Sequence, residues 1–132
     1  MSQYSQVVRE YLINLQNKIT EKVQEEESVK FTFDQWQREE GGSGESRILE
    51  NGSVFEKAGI NFSDIQGKNL PASSTASRPS LAGADYQAMG LSLVFHPENP
   101  FAPTCHMNVR FFTTIDEKDT PIWWFGGGYD LT

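Results

Sequence analysis

Two alternating segments on either side of a proline-rich loop constrain the fold of this chain most strongly. In GLSLVFH, residues 90–96, and HMNVRFF, residues 106–112, apolar and polar side chains alternate, as they do in β-strands with one buried face. The loop 97–105 has prolines at positions 97, 100 and 103, and proline cannot donate a hydrogen bond to a strand ladder. We therefore predict an antiparallel hairpin whose strands are joined by a rigid loop.

The apolar pattern also predicts the faces and register of this hairpin. Aligning the apolar sides predicts three cross-strand pairs, which are His96 with His106, Val94 with Asn108, and Ser92 with Arg110. The apolar face is expected to pack on a helix and consists of Leu91, Leu93, Phe95, Met107, Val109 and Phe111. The opposite face would gather on one surface Ser92, His96, His106, Asn108 and Arg110.

This polar face is a candidate binding site. Arg110 suits a carboxylate, ideally through two hydrogen bonds, and an imidazole that titrates near neutral pH can serve as general acid or base. The alternative is an ordinary solvent-exposed sheet face. A metal ion held by His96 and His106 is a further alternative, although two nitrogen ligands are too few for a closed site.

The segment WWFGGGYDL, residues 123–131, places aromatic side chains around three glycines. Glycine leaves the backbone bare, so a flat ligand can approach a sheet closely there. The alternative is a buried strand that ends in a glycine turn. Together with the polar face, this segment favours a planar apolar ligand with peripheral carboxylates.

The rest of the chain predicts one helix and further strands. Residues 4–23 have the spacing of an amphipathic helix, with apolar positions at Tyr4, Val7, Val8, Tyr11, Leu12, Leu15, Ile19 and Val23. The acidic run Glu25-Glu26-Glu27 is interpreted as a solvated helix end or turn. Strands are predicted at 29–36, 46–56, 90–96, 106–116 and 121–129, with a hairpin signal at Asn51-Gly52.

Two segments rich in small residues are predicted to be irregular. GGSG at 41–44 is interpreted as a flexible loop, with an anion-binding backbone cradle as the alternative. Residues 66–89 show no sustained periodicity, so they are interpreted either as a lid or binding loop or as a disordered connection.

Composition limits the class of protein. The 132 residues suffice for one modest domain, and no apolar run is long enough for a membrane span. The net charge of −7 argues against broad nucleic-acid binding. The single cysteine, Cys105, and a start without the features of a signal peptide favour a cytoplasmic location.

The long segments GLSLVFHPENPFAPTCHMNVRFF and WWFGGGYDLT resemble the oxygen-dependent coproporphyrinogen III oxidase family of haem biosynthesis. FDQWQREEGGSGESRILENGSVFEKAGINFS resembles the early segment of the same family, so the resemblance extends from about residue 33 to residue 132. Ser43 interrupts a glycine run that the family usually keeps unbroken. The resemblance implies an α+β fold, a largely antiparallel β-sheet flanked by helices, which is incomplete in this chain.

The resemblance also implies a reaction and its residues. Two propionates of coproporphyrinogen III would be oxidatively decarboxylated to vinyl groups with O2, giving protoporphyrinogen IX, CO2 and hydrogen peroxide without an organic cofactor. His106 matches the proton donor, and the substrate-binding positions match Ser92, Asn108, Val109 and Arg110. Asp130 lies in a family signature, and His96 and His106 match positions assigned to a metal, such as manganese, in some members.

Family members are homodimers and are much longer than this chain. Residues 1–132 are therefore interpreted as the N-terminal part of a single coproporphyrinogen oxidase domain, and we expect the chain alone to be inactive. Two other classes stay open at this point. One is a non-catalytic tetrapyrrole-binding or interaction module, and the other is a metal-dependent hydrolase.

Overall fold

The chain folds into one helix and a six-stranded sheet in the residues that the computed structural model describes, which are 3–70, 81–115 and 120–132. The elements are α1 Gln3–Glu25, β1 Thr32–Gln37, β2 Gly42–Glu50, β3 Phe55–Gly67, β4 Tyr86–Pro97, β5 Cys105–Ile115 and β6 Pro121–Leu131. Each strand pairs antiparallel with the next one along the chain, in the order β1-β2-β3-β4-β5-β6. The predicted α+β class with an antiparallel sheet flanked by a helix is confirmed.

Helix α1 packs against one face of the sheet and forms the core there. Leu12 and Val23 of the helix are buried against apolar side chains of β2 to β5. The apolar face predicted for the hairpin belongs to this core, because Leu91, Leu93 and Phe111 are buried, and Phe95, Met107 and Val109 pack against them. Burial of this apolar face is the main favourable term that holds helix and sheet together.

Buried polar contacts set the position of the helix on the sheet. The Gln16 amide donates to the carbonyl oxygens of Glu45, at 3.0 Å, and Ile60, at 3.1 Å. Arg9 lies 3.1 Å from the buried carboxylate of Asp64, which also accepts a 2.9 Å hydrogen bond from Gln87. Because buried polar groups are costly when unpaired, these contacts disfavour other helix positions.

The apolar stripe predicted on the helix is wider than the part that the sheet covers. Tyr4, Val7 and Tyr11 are about 60% exposed, although the spacing assigned them to the same face as Leu12. Tyr4 lies at the margin of the sheet, with its ring centroid 6.2 Å from that of Trp123. The helix packs mainly on β3 and β4 in the middle of the sheet, and these three residues on its flank stay largely exposed.

Several predicted strand boundaries are wrong. The predicted strand 46–56 contains the turn between β2 and β3, where Asn51 takes a left-handed φ of 57°. The hairpin signal at Asn51-Gly52 is therefore confirmed, whereas the prediction of one continuous strand over 46–56 is wrong. β2 begins at Gly42, within the predicted GGSG loop, because pairing with strands on both sides overrides the weak strand propensity of glycine and serine.

The predicted irregular segment 66–89 is partly strand. β3 continues to Gly67, and β4 already begins at Tyr86. Within this segment, residues 71–80 lie outside the described residues, as does position 116 at the end of the strand predicted at 106–116. The first predicted strand, 29–36, begins at Thr32 in the structure and ends at Gln37.

The acidic run after the helix is not simply solvated. The Glu27 carboxylate accepts backbone hydrogen bonds from Ser53 at 2.8 Å and from Val54 and Phe55 at 2.7 Å, which anchors the β2–β3 turn. Partial burial alone would raise the pKa of Glu27, but the N–H donors of Phe55, Val54 and Ser53 together outweigh it and lower the pKa. Glu25 and Glu26 are exposed, as predicted.

Within the described residues, no helix is both long enough and apolar enough to cross a membrane.

Candidate functional site

The face of the sheet opposite α1, here called the open face, carries the predicted polar residues. The pairing of five strands aligns one row of mostly short polar side chains across this face, here called the polar row: Ser46, Asn61, Ser92, Asn108 and Gly128. The next row contains Arg110 between Gly90 and Gly126. Strand alternation puts all these positions on the same side, as the sequence predicted for Ser92, Asn108 and Arg110.

The predicted hairpin register is wrong by two residues. Ser92 faces Asn108, Val94 faces His106, and Gly90 faces Arg110. A shift of two residues keeps every side chain on its face, so the apolar pattern could not distinguish the two registers. Beyond the end of the neighbouring pair, Thr104 exchanges two 2.9 Å backbone hydrogen bonds with Thr132 and so extends the β5–β6 ladder.

Two adjoining hollows of the open face share Ser92, Asn108 and Arg110. The first encloses about 440 Å³ and is also lined by residues of β3 and by Arg38, Leu70 and Tyr86. The second encloses about 550 Å³ and adds His106 and the glycines at 126, 127 and 128. The structure therefore brings three of the four predicted substrate-binding side chains together with the predicted proton donor.

Val109, the fourth predicted substrate-binding residue, differs from the others. Its side chain is on the helix side of the sheet and packs against the core. Any contribution of Val109 to the first hollow, which it lines, must therefore come from its main chain. The carbonyl oxygen of Val109 lies 3.2 Å from where a Cβ on Gly90 would stand, so the two backbones are close.

His106 and Asp130 form a cross-strand pair at the edge of the second hollow. Their register makes them direct neighbours, and Nδ1 of His106 lies 3.7 Å from Oδ1 of Asp130. Both side chains are about half exposed, at 51% and 59%. A carboxylate at this distance can orient the imidazole. Asp130, which the sequence only marked as a possible site, therefore lies beside His106.

The first hollow contains two guanidinium groups in different states. Arg110 is exposed and makes no ion pair with any residue of the described ranges. Arg38 lies 3.5 Å from the exposed carboxylate of Glu40. Arg110 is therefore available to an anionic ligand, whereas Arg38 would have to exchange a surface partner, which costs little.

The sequence suggested that the aromatic residues of β6 form one surface, but in the structure they do not. Trp124 is on the open face, where Tyr86, Phe112 and Trp124 form a stack with ring centroids 5.2 and 4.6 Å apart. Trp123, Phe125 and Tyr129 point to the helix side and stay largely exposed there. Strand alternation divides the aromatic residues between the two faces.

The glycines of β6 leave the open face bare next to the polar row. A Cβ on Gly126 would meet no atom within 4 Å, and one on Gly128 would come only to 3.9 Å from the Asn108 amide. Packing inside the described chain therefore does not require glycine at these positions. The observation fits a surface that must stay open to a flat ligand.

The two histidines do not complete a metal site. His96 is beside Thr104, with Nδ1 3.5 Å from its hydroxyl oxygen, while His106 pairs with Val94, two positions before His96 on β4. In the described part of the chain, no three His, Cys, Asp or Glu side chains are close enough to hold an ion. Manganese prefers about six ligands, so His96 and His106 alone do not fit it, and the metal stays a prediction.

Sequence reasoning missed several residues of the first hollow. Arg38, Asn61, Ser63 and Tyr86 line it, and none was singled out. For Asn61 and Ser63 a signal was present, because Ile60-Asn61-Phe62-Ser63 alternates like a strand with one polar side. No local pattern marked Arg38, which reaches the hollow through the β1–β2 turn.

Comparison with known protein families identifies the family of the chain. A family model described as coproporphyrinogen III oxidase matches residues 7–132, which include nearly all of α1 and all six strands. The matched range contains every residue of the open face named above. The chain belongs to the coproporphyrinogen III oxidase family, a group of oxidoreductases of porphyrin biosynthesis.

Proposed function

We propose that the open face binds coproporphyrinogen III and that the protein oxidatively decarboxylates two of its propionates to vinyl groups with O2. The products are protoporphyrinogen IX, CO2 and hydrogen peroxide. Each propionate loses its carboxylate as CO2 from one methylene carbon and one hydrogen from the other methylene, which is attached to the pyrrole ring, so that the two carbons become a vinyl group. The two electrons released reduce one O2 to the peroxide level, so no organic cofactor is needed.

The observation that carries this proposal is the position of Arg110 beside the bare glycine strip of β6. Its guanidinium has no ion-pair partner in the described chain, and it shares both hollows with the directly paired Ser92 and Asn108. A flat tetrapyrrole lying on Gly126 and Gly128 would bring a peripheral carboxylate to Arg110. The stacked aromatic rings beyond Arg110 add an apolar margin for the macrocycle.

His106 is proposed to transfer a proton during the reaction. It lines the second hollow, and Asp130 is close enough to keep the imidazole oriented. Reduction of O2 to hydrogen peroxide consumes two protons, so a proton donor beside the substrate is chemically useful. An exposed imidazole can be reprotonated from water between turnovers.

The direct test is anaerobic titration with coproporphyrinogen III followed by exposure to O2. It is run on the chain of 132 residues and on a full-length form of the family domain. We expect binding, and vinyl products with peroxide from the full-length form after O2 is admitted. Binding without conversion by either form would favour the non-catalytic tetrapyrrole-binding alternative. Absence of binding to both forms would refute the proposal.

The metal-dependent hydrolase remains the second alternative from the sequence. Chelation followed by thermal unfolding tests it, because a metal held by His96 and His106 would shift the unfolding temperature when it is removed. An unchanged unfolding temperature and unchanged turnover after chelation would contradict both the hydrolase and a resident manganese ion.

We also propose that the protein acts as a homodimer in the cytoplasm. A single free cysteine is compatible with a reducing compartment. On the helix side, Trp123, Phe125 and Tyr129 are exposed, and the exposed Tyr4 lies near Trp123, which supports contact with further polypeptide. The oligomeric state of the full-length form in solution, measured by light scattering, tests the dimer.

A further inference from the structure

Asn61 of β3 contains a buried polar atom without a partner. Its side-chain oxygen Oδ1 is shielded from solvent and makes no hydrogen bond within the described residues. An unpaired buried acceptor destabilises a fold, and native proteins contain few of them. Across the described chain it is the single buried side-chain polar atom in this condition, so Asn61 calls for an explanation outside the fold.

The position of Asn61 connects it with the proposed substrate site. Asn61 belongs to the polar row, in which it is the direct cross-strand partner of Ser92, and Ser92 is the partner of Asn108. It lines the same hollow as Ser92, Asn108 and Arg110. Adjacent strands are about 4.8 Å apart, so the three polar side chains span about 10 Å, within the width of one tetrapyrrole.

The polar groups of the proposed substrate decide what such an acceptor can contact. The propionates of coproporphyrinogen are carboxylates at neutral pH, which only accept hydrogen bonds and suit Arg110. An amide oxygen cannot bind them and would face them unfavourably. The only hydrogen-bond donors of the macrocycle are its pyrrole N–H groups.

We propose that the Asn61 side chain turns toward the hollow when a tetrapyrrole binds, so that Oδ1, which is shielded in the unliganded chain, accepts a hydrogen bond from a pyrrole N–H. This inference rests on the proposed function and adds a substrate-binding residue to the open face. Ring contact at Asn61 and carboxylate contact at Arg110 together fix how the macrocycle lies on the sheet. Ligand binding then supplies the partner that the fold itself does not provide.

The contact also distinguishes oxidation states of the ligand. In the reduced porphyrinogen every ring nitrogen carries a hydrogen, whereas in the oxidised porphyrin half of the ring nitrogens are acceptors. An acceptor beneath the ring therefore favours the reduced form. Asn61 would help the site to select its substrate against the corresponding porphyrin.

The test compares Asn61→Leu and Asn61→Asp with the wild-type chain, with Asn14→Leu on the exposed side of α1 as the control. Binding of coproporphyrinogen III and of coproporphyrin III is measured without oxygen, together with thermal unfolding of the unliganded chain. Leucine has nearly the same size without polar atoms, and aspartate keeps an acceptor while removing the donor. The pair of variants therefore separates an acceptor role from a donor role.

We expect Asn61→Leu to bind the porphyrinogen about tenfold more weakly, to lose preference for the reduced form, and to unfold at a higher temperature. Asn61→Asp should bind it within about threefold of wild type, and Asn14→Leu should leave binding unchanged. Equal weakening in both Asn61 variants would assign a donor role and overturn the inference. So would unchanged binding in Asn61→Leu, or a lower unfolding temperature.

These outcomes are separable from failure of the proposed function. If the wild-type chain and the full-length form both fail to bind coproporphyrinogen III, the proposed function and this inference are refuted together. If wild type binds and Asn61→Leu binds equally well, only the role of Asn61 is refuted.

Discussion

Nδ1 of His106 on β5 lies 3.7 Å from Oδ1 of Asp130, its direct neighbour on β6. The pair is at the edge of the hollow that also contains Asn108 and Arg110. The residues proposed for proton transfer and for substrate binding therefore lie on adjacent rows of the same sheet face. This separation makes the two roles distinguishable by mutation.

Replacing His106 should impair turnover more than binding. We expect His106→Gln in the full-length form to lower kcat by about 10²–10⁴-fold, because a positioned proton donor contributes on that order. The Kd for coproporphyrinogen III should change little, and Asp130→Asn should reduce kcat by a smaller factor. Steady-state kinetics and anaerobic titration measure the two effects. A variant with normal kcat would exclude His106 as the proton donor.

Replacing Arg110 should impair binding first. Loss of a charged hydrogen-bond donor to a carboxylate costs about 1.5–3 kcal/mol, so Arg110→Ala should raise the Kd by roughly ten- to a hundredfold. Arg110→Lys should recover only part of the affinity, since lysine lacks the planar fork. Lys18→Ala, on the exposed side of α1, is the charge-matched control. Equal affinity in Arg110→Ala and the control would show that no carboxylate binds there.

Adding a side chain to the bare glycine strip should block the ligand without disturbing the fold. A Cβ at Gly126 has no atom within 4 Å, and valine favours strands, so Gly126→Val should unfold at or above the wild-type temperature while losing affinity. Gly127→Val is the contrasting variant. A Cβ there would come 2.6 Å from the carbonyl oxygen of Asn108, so this variant should be destabilised. Intact ligand affinity in Gly126→Val would argue against a macrocycle on this strip.

The hydrogen bonds of the Glu27 carboxylate to the β2–β3 turn should make the free energy of unfolding depend on pH. Because the folded-state pKa of Glu27 is below its ordinary value of 4.5, its contribution is complete above that pH and is lost as the pH falls through the folded pKa. We expect Glu27→Ala to lower the free energy of unfolding by about 2 kcal/mol at neutral pH, and Glu27→Gln by about 1 kcal/mol.

Chemical denaturation between pH 7 and pH 3 measures this dependence. Glu26→Gln, one residue earlier and exposed, is the matched control and should behave like wild type. The gap between wild type and Glu27→Gln should close as the medium becomes acidic. A gap that stayed constant down to pH 3 would mean that the charge of Glu27 does not stabilise the turn.

The amino-acid sequence alone determined which side chains of β4 and β5 share a face. Alternation in β4 and β5 assigned Ser92, Asn108 and Arg110 to one side, and the structure confirms that assignment. The long motifs also indicated the family to which the chain belongs. The face of each side chain depends only on its position along its own strand, because successive side chains alternate whatever the strand pairs with.

Only the tertiary structure decided the contacts between strands that are distant in sequence. The apolar pattern could not predict the register that places Ser92 opposite Asn108, since a shift of two residues buries the same side chains. Asn61 joined the polar row, and Glu27 reached the β2–β3 turn, through contacts across 26 or more residues. Strand pairing, loop closure and burial depend on contacts between segments, so they cannot be predicted from the composition of one segment alone.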